Sequence, residues 1–258
     1  MMKRLQNTAD NAASLIFILL IILFWQWATV FWKIKPWILP PPSAIIKTIF
    51  TTYPIMLPHI LATLKESIIG FILAIIVSFT IALIMDWFPI VKKTLYPLVI
   101  TSQTIPIISV APLFLVWFGY DILPKVLVVL LVCFFPILIN LLDGLASVDR
   151  ELLNLLKSMG ASRFNIIRIV KLPAALPNLF SGLKISASYS IMGAVIGEWL
   201  GAKRGLGYYM VLSQRSFYVD RVFAAILVIT ILSLMVFKGV CFLERLLMPW
   251  QAIKGNEW

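Results

Sequence analysis

The sequence is poor in the residues from which catalytic and metal sites are built. Its 258 residues include one histidine, His59, and two cysteines, Cys133 and Cys241. The cysteines lie far apart within apolar runs, which predicts two buried free thiols rather than a disulfide or a metal pair. No G-x-x-x-x-G-K-[ST] sequence is present, so the chain lacks this route to binding and splitting ATP. We therefore expect no enzymatic activity, no metal site and no cofactor bound by this chain.

Charged residues are also scarce. They make up 13% of the chain, whereas 61% of the residues are hydrophobic and the mean hydropathy is +1.00. This balance excludes an ordinary soluble domain and predicts a polytopic membrane protein. The net charge of +11 does not indicate a nucleic-acid partner. The basic residues lie at the ends of apolar runs and in one central segment, which is the pattern of membrane topology in a lipid bilayer.

The apolar runs predict an all-α protein with about six transmembrane helices in a single domain over residues 1–258. The predicted spans are 15–32, 59–85, 95–118, 122–142, 176–200 and 222–243. Thirteen of the 22 lysine and arginine residues fall on the side that holds both termini. The positive-inside rule therefore predicts cytoplasmic N- and C-termini.

Proline distinguishes two regions of this pattern. Three consecutive prolines at 40–42 forbid helix, and Ser43 predicts the start of a short amphipathic surface helix that reaches about Thr52. The third span is interrupted by Pro106 and Pro112. A broken helix at membrane depth is tolerated where it lines a cavity or contacts protein, so we expect this span to do one of the two.

Polar side chains in the third and fifth spans are the candidate lining of a translocation pathway. They are Ser102, Gln103, Thr104, Pro106, Ser186, Ser190 and Glu198. The fifth span is rich in glycine and serine, which also predicts close packing at the centre of a helix bundle. Hydrogen bonding between helices is therefore the alternative for the hydroxyl groups. For Glu198 the alternative is solvation or an ion pair with Lys203 or Arg204.

One central segment, residues 149–173, is too polar to cross a bilayer yet carries an apolar stripe. The stripe follows the i, i+3, i+4, i+7 spacing of one helix face and consists of Leu152, Leu155, Leu156 and Met159. Gly160 suits the position that closes this helix, and Ser162 predicts the cap of a second helix through Lys171 that Pro173 ends. Either a groove in another protein or a lipid surface could cover the stripe.

The spacing within this segment resembles the cytoplasmic loop of ABC-importer permeases. The family motif reads E-A-A, three residues, Gly, nine residues, Ile, one residue, Leu-Pro. Gly160, Val170 and Leu172-Pro173 take the later positions without a gap, whereas Asn154-Leu155-Leu156 stand in place of E-A-A. The stretches ILPPPSAI, APLFLVWFG and GEWLGAKRGLGYYM resemble further segments of the nitrate, sulfonate and taurine branch, over about residues 38–230.

The resemblance implies a type I importer permease in the bacterial cytoplasmic membrane. Two copies would form the pathway as a homodimer, two cytoplasmic ATPase subunits would bind ATP and Mg, and an extracytoplasmic binding protein would deliver the solute. That solute would be a nitrate-, sulfonate- or taurine-like anion or a small heterocyclic precursor.

The residues implied in coupling to the ATPase are Glu151, Leu152, Asn154, Leu155, Leu156, Met159, Gly160, Ala161, Ser162 and Pro173.

The competing hypothesis is a secondary transporter or channel driven by an ion gradient. It would require paired ionisable groups near the bilayer midplane, and the sequence offers almost none.

Overall fold

A computed structural model describes residues 2–249, and the prediction of an all-α protein is confirmed. No β-strand occurs among these residues. The helices are α1 (Met2–Phe31), α2 (Pro42–Trp87), α3 (Pro89–Ser102), α4 (Ile107–Phe118), α5 (Ile122–Ala146), α6 (Arg150–Ser158), α7 (Arg163–Asn165), a π-helix (Ile166–Lys171), α8 (Leu172–Trp199), α9 (Leu206–Arg215) and α10 (Val219–Leu247).

Four helical segments of the described chain are long and apolar enough to cross a membrane. They are α2, α5, the continuous helix Arg163–Trp199 and α10, and the bent pair α3 and α4 would form a fifth. Ile16–Phe31 within α1 is a shorter apolar helix at the place of the first predicted span. Many large apolar side chains on these helices are exposed, as expected for surfaces that face lipid.

By its internal packing the chain separates into two compact units. One consists of the residues up to Pro58 together with Tyr209–Val228. In this unit the Thr48 hydroxyl donates a 2.7 Å hydrogen bond to the Asp220 carboxylate, and the rings of Trp25 and Phe223 lie 5.8 Å apart. The other unit consists of His59–Tyr208 and the residues from Ile229 onward. It holds most of the buried apolar side chains and all of the candidate site described below.

Helix α2 corrects the predicted boundaries around the second span. It runs for 46 residues, or about 69 Å, without the separate surface helix that we expected from Ser43 to Thr52. Pro54 and Pro58 lie inside it. The helix is more than twice as long as the roughly 30 Å hydrocarbon layer, so the part with the prolines can lie outside the hydrocarbon. Water can then satisfy the carbonyls that the prolines leave without donors.

The predicted break in the third span is confirmed, although it is narrower than expected. Helix α3 ends at Ser102, Pro106 is extended, and α4 begins at Ile107 at an angle of 100° to α3. Pro112 lies within α4 and does not end it. The break is therefore confined to residues 103–106.

The closest packing in the larger unit is between α5 and α8, where glycines let the two backbones approach. A Cβ atom on Gly182 would lie 2.6 Å from the Pro136 carbonyl oxygen, and one on Gly193 would lie 3.1 Å from the Cα of Val129. Gly197 approaches the Cα of Lys125 equally closely. The prediction that small residues make the fifth span central is confirmed.

Side chains satisfy the backbone of α5 around Pro136. The hydroxyl groups of Ser186 in α8 and Ser78 in α2 donate to the carbonyls of Cys133 and Phe134, at 2.9 and 3.0 Å. The Cys133 thiol donates in turn to the Ser186 carbonyl at 3.3 Å. Both cysteines are free thiols as predicted, but only Cys133 is buried. These bonds join α2, α5 and α8 at one level of the bundle.

We predict that Gly182→Ala destabilises the protein by about 1–3 kcal/mol, because the added methyl group meets the α5 backbone, which cannot move aside cheaply. The measurement is the Tm of the purified protein in detergent. Gly239→Ala is the matched control, since its Cβ would have no neighbour within 4 Å. Equal Tm values for the two variants would contradict this account of the α5–α8 contact.

Candidate functional site

Helix α6 is a short exposed helix with a well-formed beginning. The Asp149 carboxylate accepts a 2.9 Å hydrogen bond from the Glu151 N–H, which caps the helix and suits its positive N-terminal end. No residue of α6 is buried. In the apolar stripe, Leu152 and Leu155 are 41% and 57% exposed, and Met159 just beyond the helix is 75% exposed. The stripe therefore lies open on the surface of this chain.

The bend after α6 is also formed as predicted. Gly160 has φ +79°, a left-handed conformation that glycine adopts without strain. Its N–H donates to the Lys157 carbonyl and the Ala161 N–H donates to the Leu156 carbonyl, both at 3.0 Å. This pair of bonds is the Schellman motif, which satisfies the last carbonyls of a helix. The geometry fixes the angle at which the chain leaves α6.

The helix after the bend departs from the prediction at its far end. The Ser162 hydroxyl accepts from the Asn165 N–H at 3.3 Å and caps this helix, as expected. Pro173, however, does not end it, because the chain passes through the π-helix directly into α8. The Leu172 N–H bonds to the Ile167 carbonyl in the wider π register just before the proline. Pro173 is the second residue of α8, inside the continuous helix Arg163–Trp199, and the π-helix lies in the turn where the proline removes a backbone donor.

The candidate pathway residues fall into two groups. Around the break between α3 and α4, Gln103, Thr104 and Pro106 are exposed and Ser102 is half-buried. In α8, Ser186 and Ser190 are fully buried, and the Ser190 hydroxyl donates to the Ala187 carbonyl of its own helix. The α8 serines thus take part in helix packing within this chain. A role of either group in a pathway stays a prediction.

Glu198, at the end of α8, is buried and does not pair with Lys203 or Arg204, both of which are exposed. Its two carboxylate oxygens accept hydrogen bonds of 2.6 Å from the Thr63 hydroxyl of α2 and from the Gly207 N–H at the start of α9. The surface ion pair that we considered from the sequence is therefore wrong. The carboxylate joins three helices instead of facing solvent.

The turn before α9 fits closely around this carboxylate. The Leu206 N–H donates to the Thr63 hydroxyl at 2.8 Å, and the Gly205 N–H donates to the Nδ1 atom of His59 at 3.1 Å. Gly205 has φ +120°, and a Cβ atom there would overlap the Glu198 carboxyl group. Glycine at position 205 is therefore required by the approach of the backbone to the carboxylate. We call Thr63, Glu198 and the 205–207 turn the outer latch, where outer means only the end of α8 opposite α6.

A buried ion pair that the sequence analysis missed lies beside the outer latch. Lys125 Nζ at the start of α5 is 2.9 Å from Glu66 Oε1 of α2, and the two side chains are only 7% and 5% exposed. The carboxyl groups of Glu66 and Glu198 are adjacent. The available signal was an acid near the start of the second predicted span and a base near the start of the fourth, where burial requires a partner.

A cavity of about 300 Å³ opens next to this ion pair. Its charged lining residues are Lys65, Glu66, Asp121, Lys125, Lys203 and Arg204. Four of these six side chains are basic, so the cavity favours a negatively charged group. It lies at the starts of α5 and α9 and the end of α8, the opposite end of those spans from α6.

The other end of α2 contacts the segment that follows α6. Both carboxylate oxygens of Asp86 lie close to Lys171 Nζ, at 2.7 and 2.9 Å. Arg163 Nη2 donates to the Asp86 carbonyl at 3.2 Å, and its guanidinium lies over the Trp87 ring at 5.3 Å from the ring centre. Sequence reasoning did not single out Asp86, because its partners are about 80 residues away.

The sequence matches the family described as binding-protein-dependent transport system inner membrane component, over residues 67–247. It is 38% identical to the formylaminopyrimidine transport permease protein ThiX of Halalkalibacterium halodurans, over 89% of this chain and 94% of that protein. It is 29% identical to the taurine transport system permease protein TauC of Escherichia coli, over 90% of this chain and 86% of that protein.

The fold is also similar to a solved structure. The MetNI methionine ABC transporter, in an inward-facing crystal form, has a chain that superposes with a TM-score of 0.60 at 19% identity. The match covers 74% of this chain and 97% of the other. At this level of identity the similarity concerns the arrangement of the helices alone.

We predict that Thr63→Val loosens the outer latch, because it leaves the Leu206 N–H and one Glu198 oxygen buried without their partner, at about 1–3 kcal/mol for each group. The measurement is hydrogen exchange of the Leu206 and Gly207 amides, which should become faster. Thr63→Ser keeps the hydroxyl and should exchange like the wild type. Slow exchange in Thr63→Val would show that the turn is held by other contacts.

Proposed function

Because the chain belongs to the family of binding-protein-dependent inner membrane transport components and is an ABC-importer permease, we propose that it moves a small solute inward by alternating access driven by a separate ATPase. Two copies form the pathway, and each binds one cytoplasmic ATPase subunit that holds ATP and Mg. A binding protein on the outer side delivers the solute.

The observation that carries this proposal is the exposed stripe of α6. Apolar side chains at i, i+3, i+4 and i+7 on an isolated surface helix are the anchors of a helix-in-groove contact. The cap at Asp149 and the Schellman bend at Gly160 hold the helix in shape before any partner binds. Preorganisation of this kind lowers the entropic cost of binding. The contact relies on apolar packing, since Asn154-Leu155-Leu156 replaces the family's E-A-A.

The topology assigns the two ends of the larger unit to different partners. With both termini cytoplasmic, α6 faces the ATPase and the outer latch lies on the opposite side of the membrane. The cavity beside Lys125 then opens toward the binding protein. ATP-driven closure of the ATPase pair displaces α6, and the spans change between inward-open and outward-open arrangements.

The solute is a small anion or a small heterocyclic precursor. One relative is named for formylaminopyrimidine transport, which represents the heterocyclic class, and another for taurine transport, which represents the anionic class. The basic lining of the outer cavity favours a solute that carries a sulfonate or another anionic group.

We predict that Leu155→Asp and Met159→Asp each abolish co-purification with the cognate ATPase, because a carboxylate on the stripe would be buried in the docking groove without a partner. The expected loss is at least about 2 kcal/mol of binding free energy, or roughly thirtyfold in affinity. The measurement is pull-down of the ATPase from detergent extract, with membrane insertion checked in parallel.

Arg150→Asp is the matched control for this experiment. Arg150 is exposed on the face of α6 opposite the stripe, in the first turn, where a carboxylate suits the helix dipole. This variant should retain the ATPase. Retained binding in both stripe variants would contradict docking through α6.

We also predict that uptake into proteoliposomes requires the ATPase, ATP and the binding protein together. Taurine, an alkanesulfonate, nitrate and a formylaminopyrimidine are first tested for binding to the purified binding protein, and the solute that binds is then used for uptake. Uptake by the permease alone, driven by an imposed proton or sodium gradient, would indicate a secondary transporter instead.

A further inference from the structure

The last turn of α2 contains an acid where a helix dipole favours a base. Asp86 lies one residue before the end of the helix, and no basic residue is present in that turn. Negative charge at a helix C-terminus is unfavourable unless a cation compensates for it. Here the cations come from the segment after α6, so the negative charge of Asp86 is compensated only when that segment is in place.

Two cations from this segment reach the same turn. Lys171 and Arg163 stand at opposite ends of the α7 and π-helix stretch, and both bind Asp86, through its carboxylate and its carbonyl respectively. The side chains of Lys171 and Asp86 are 17% and 11% exposed, so solvent screens this ion pair less than a surface pair. Contacts at both ends of a helical stretch prevent it from pivoting about either one.

Helix α6 borders the same place. A cavity of about 380 Å³ beside the ion pair is lined by Leu153 and Lys157 of α6 as well as by Asp86, Arg163 and Lys171. Leu153 and Lys157 of α6 thus face the ion pair across this cavity. The rigid bend at Gly160 carries a displacement of α6 into the helical stretch that ends at Lys171.

Helix α2 is consequently joined to α8, or to the residue just before it, at two levels. Lys171, immediately before α8, contacts Asp86 at the C-terminal end of α2, and Glu198 of α8 contacts Thr63 near the middle of α2. The two contacts are about 35 Å apart along α2, because 23 residues separate Thr63 from Asp86 and each residue adds 1.5 Å. Two contacts this far apart couple the movement of α2 to that of α8.

We infer that the ion pair between Asp86 and Lys171 is the link through which displacement of α6 moves α2 together with α8, and thereby reaches the outer end of the bundle. The inference rests on the proposed function, because the displacement is supplied by the ATPase. Asp86 acts as a positioning residue through Lys171 and Arg163.

The test measures movement of α2 near Thr63, the second contact level, in the reconstituted complex with the ATPase. Spin labels are placed at Leu61→Cys, an exposed position in α2, in a chain that carries Cys133→Ala and Cys241→Ala. The distance between the labels of the two copies is measured without nucleotide and after trapping with ATP and vanadate. The wild type should show a shift of this distance on trapping.

D86N and K171M should each lose most of the shift while still binding the ATPase. The double variant should lose no more than either single variant, because both changes break the same interaction. D86E and K171R keep the charges and should retain the shift. If the ion pair only stabilised the fold, these variants would be less stable, but α2 would still move on trapping whenever the ATPase is bound.

A full shift in D86N and K171M, with the ATPase bound, would overturn the inference. If either variant fails to assemble, the variant with the two charges exchanged, D86K/K171D, is tested instead. A distance shift in its assembled complex supports the link, and no shift refutes it. Failure of the wild type to bind the ATPase or to show any shift would instead refute the proposed function, and the link with it.

Discussion

The close contact between α5 and α8 is the constraint on which the rest of the larger unit depends. In a bilayer the hydrophobic effect does not drive helices together, so they associate through van der Waals packing and hydrogen bonds between them. Gly182, Gly193 and Gly197 bring α8 against the α5 backbone, and the bonds between Ser186 and Cys133 lock its register. Because α8 continues from the segment after α6, this register also fixes the position of α6.

Polar contacts connect α2 with α8, or with the residue just before it, near Asp86 and near Thr63, and the chemistry of these two levels differs. The end near α6 uses the ion pair between Lys171 and Asp86, which is partly open to water. The outer latch uses backbone N–H groups and a hydroxyl around the fully buried carboxylate of Glu198. An ion pair tolerates small changes of angle and distance, whereas a carboxylate enclosed by a glycine turn does not.

Local sequence signals predicted the local structure well. The cap at Ser162, the bend at Gly160 and the break before Ile107 each follow from the conformational limits of one or two residues. Proline was the misleading signal. Pro173 was expected to end a helix, but it lies inside the continuous helix Arg163–Trp199, directly after the π-helix. Pro54 and Pro58 likewise lie inside α2, which continues past the end that we expected at about Thr52.

The partners of ionisable residues could not be predicted, because they depend on which spans are neighbours. Glu198 had two cations nearby in sequence, yet its partners are Thr63 and the turn at Gly207. Desolvation explains this choice. Lys203 and Arg204 stay hydrated at the cavity rim, and burying either against Glu198 would cost more than two short bonds from neutral donors. Both side chains line the cavity beside Lys125, so their charges contribute to its basic lining.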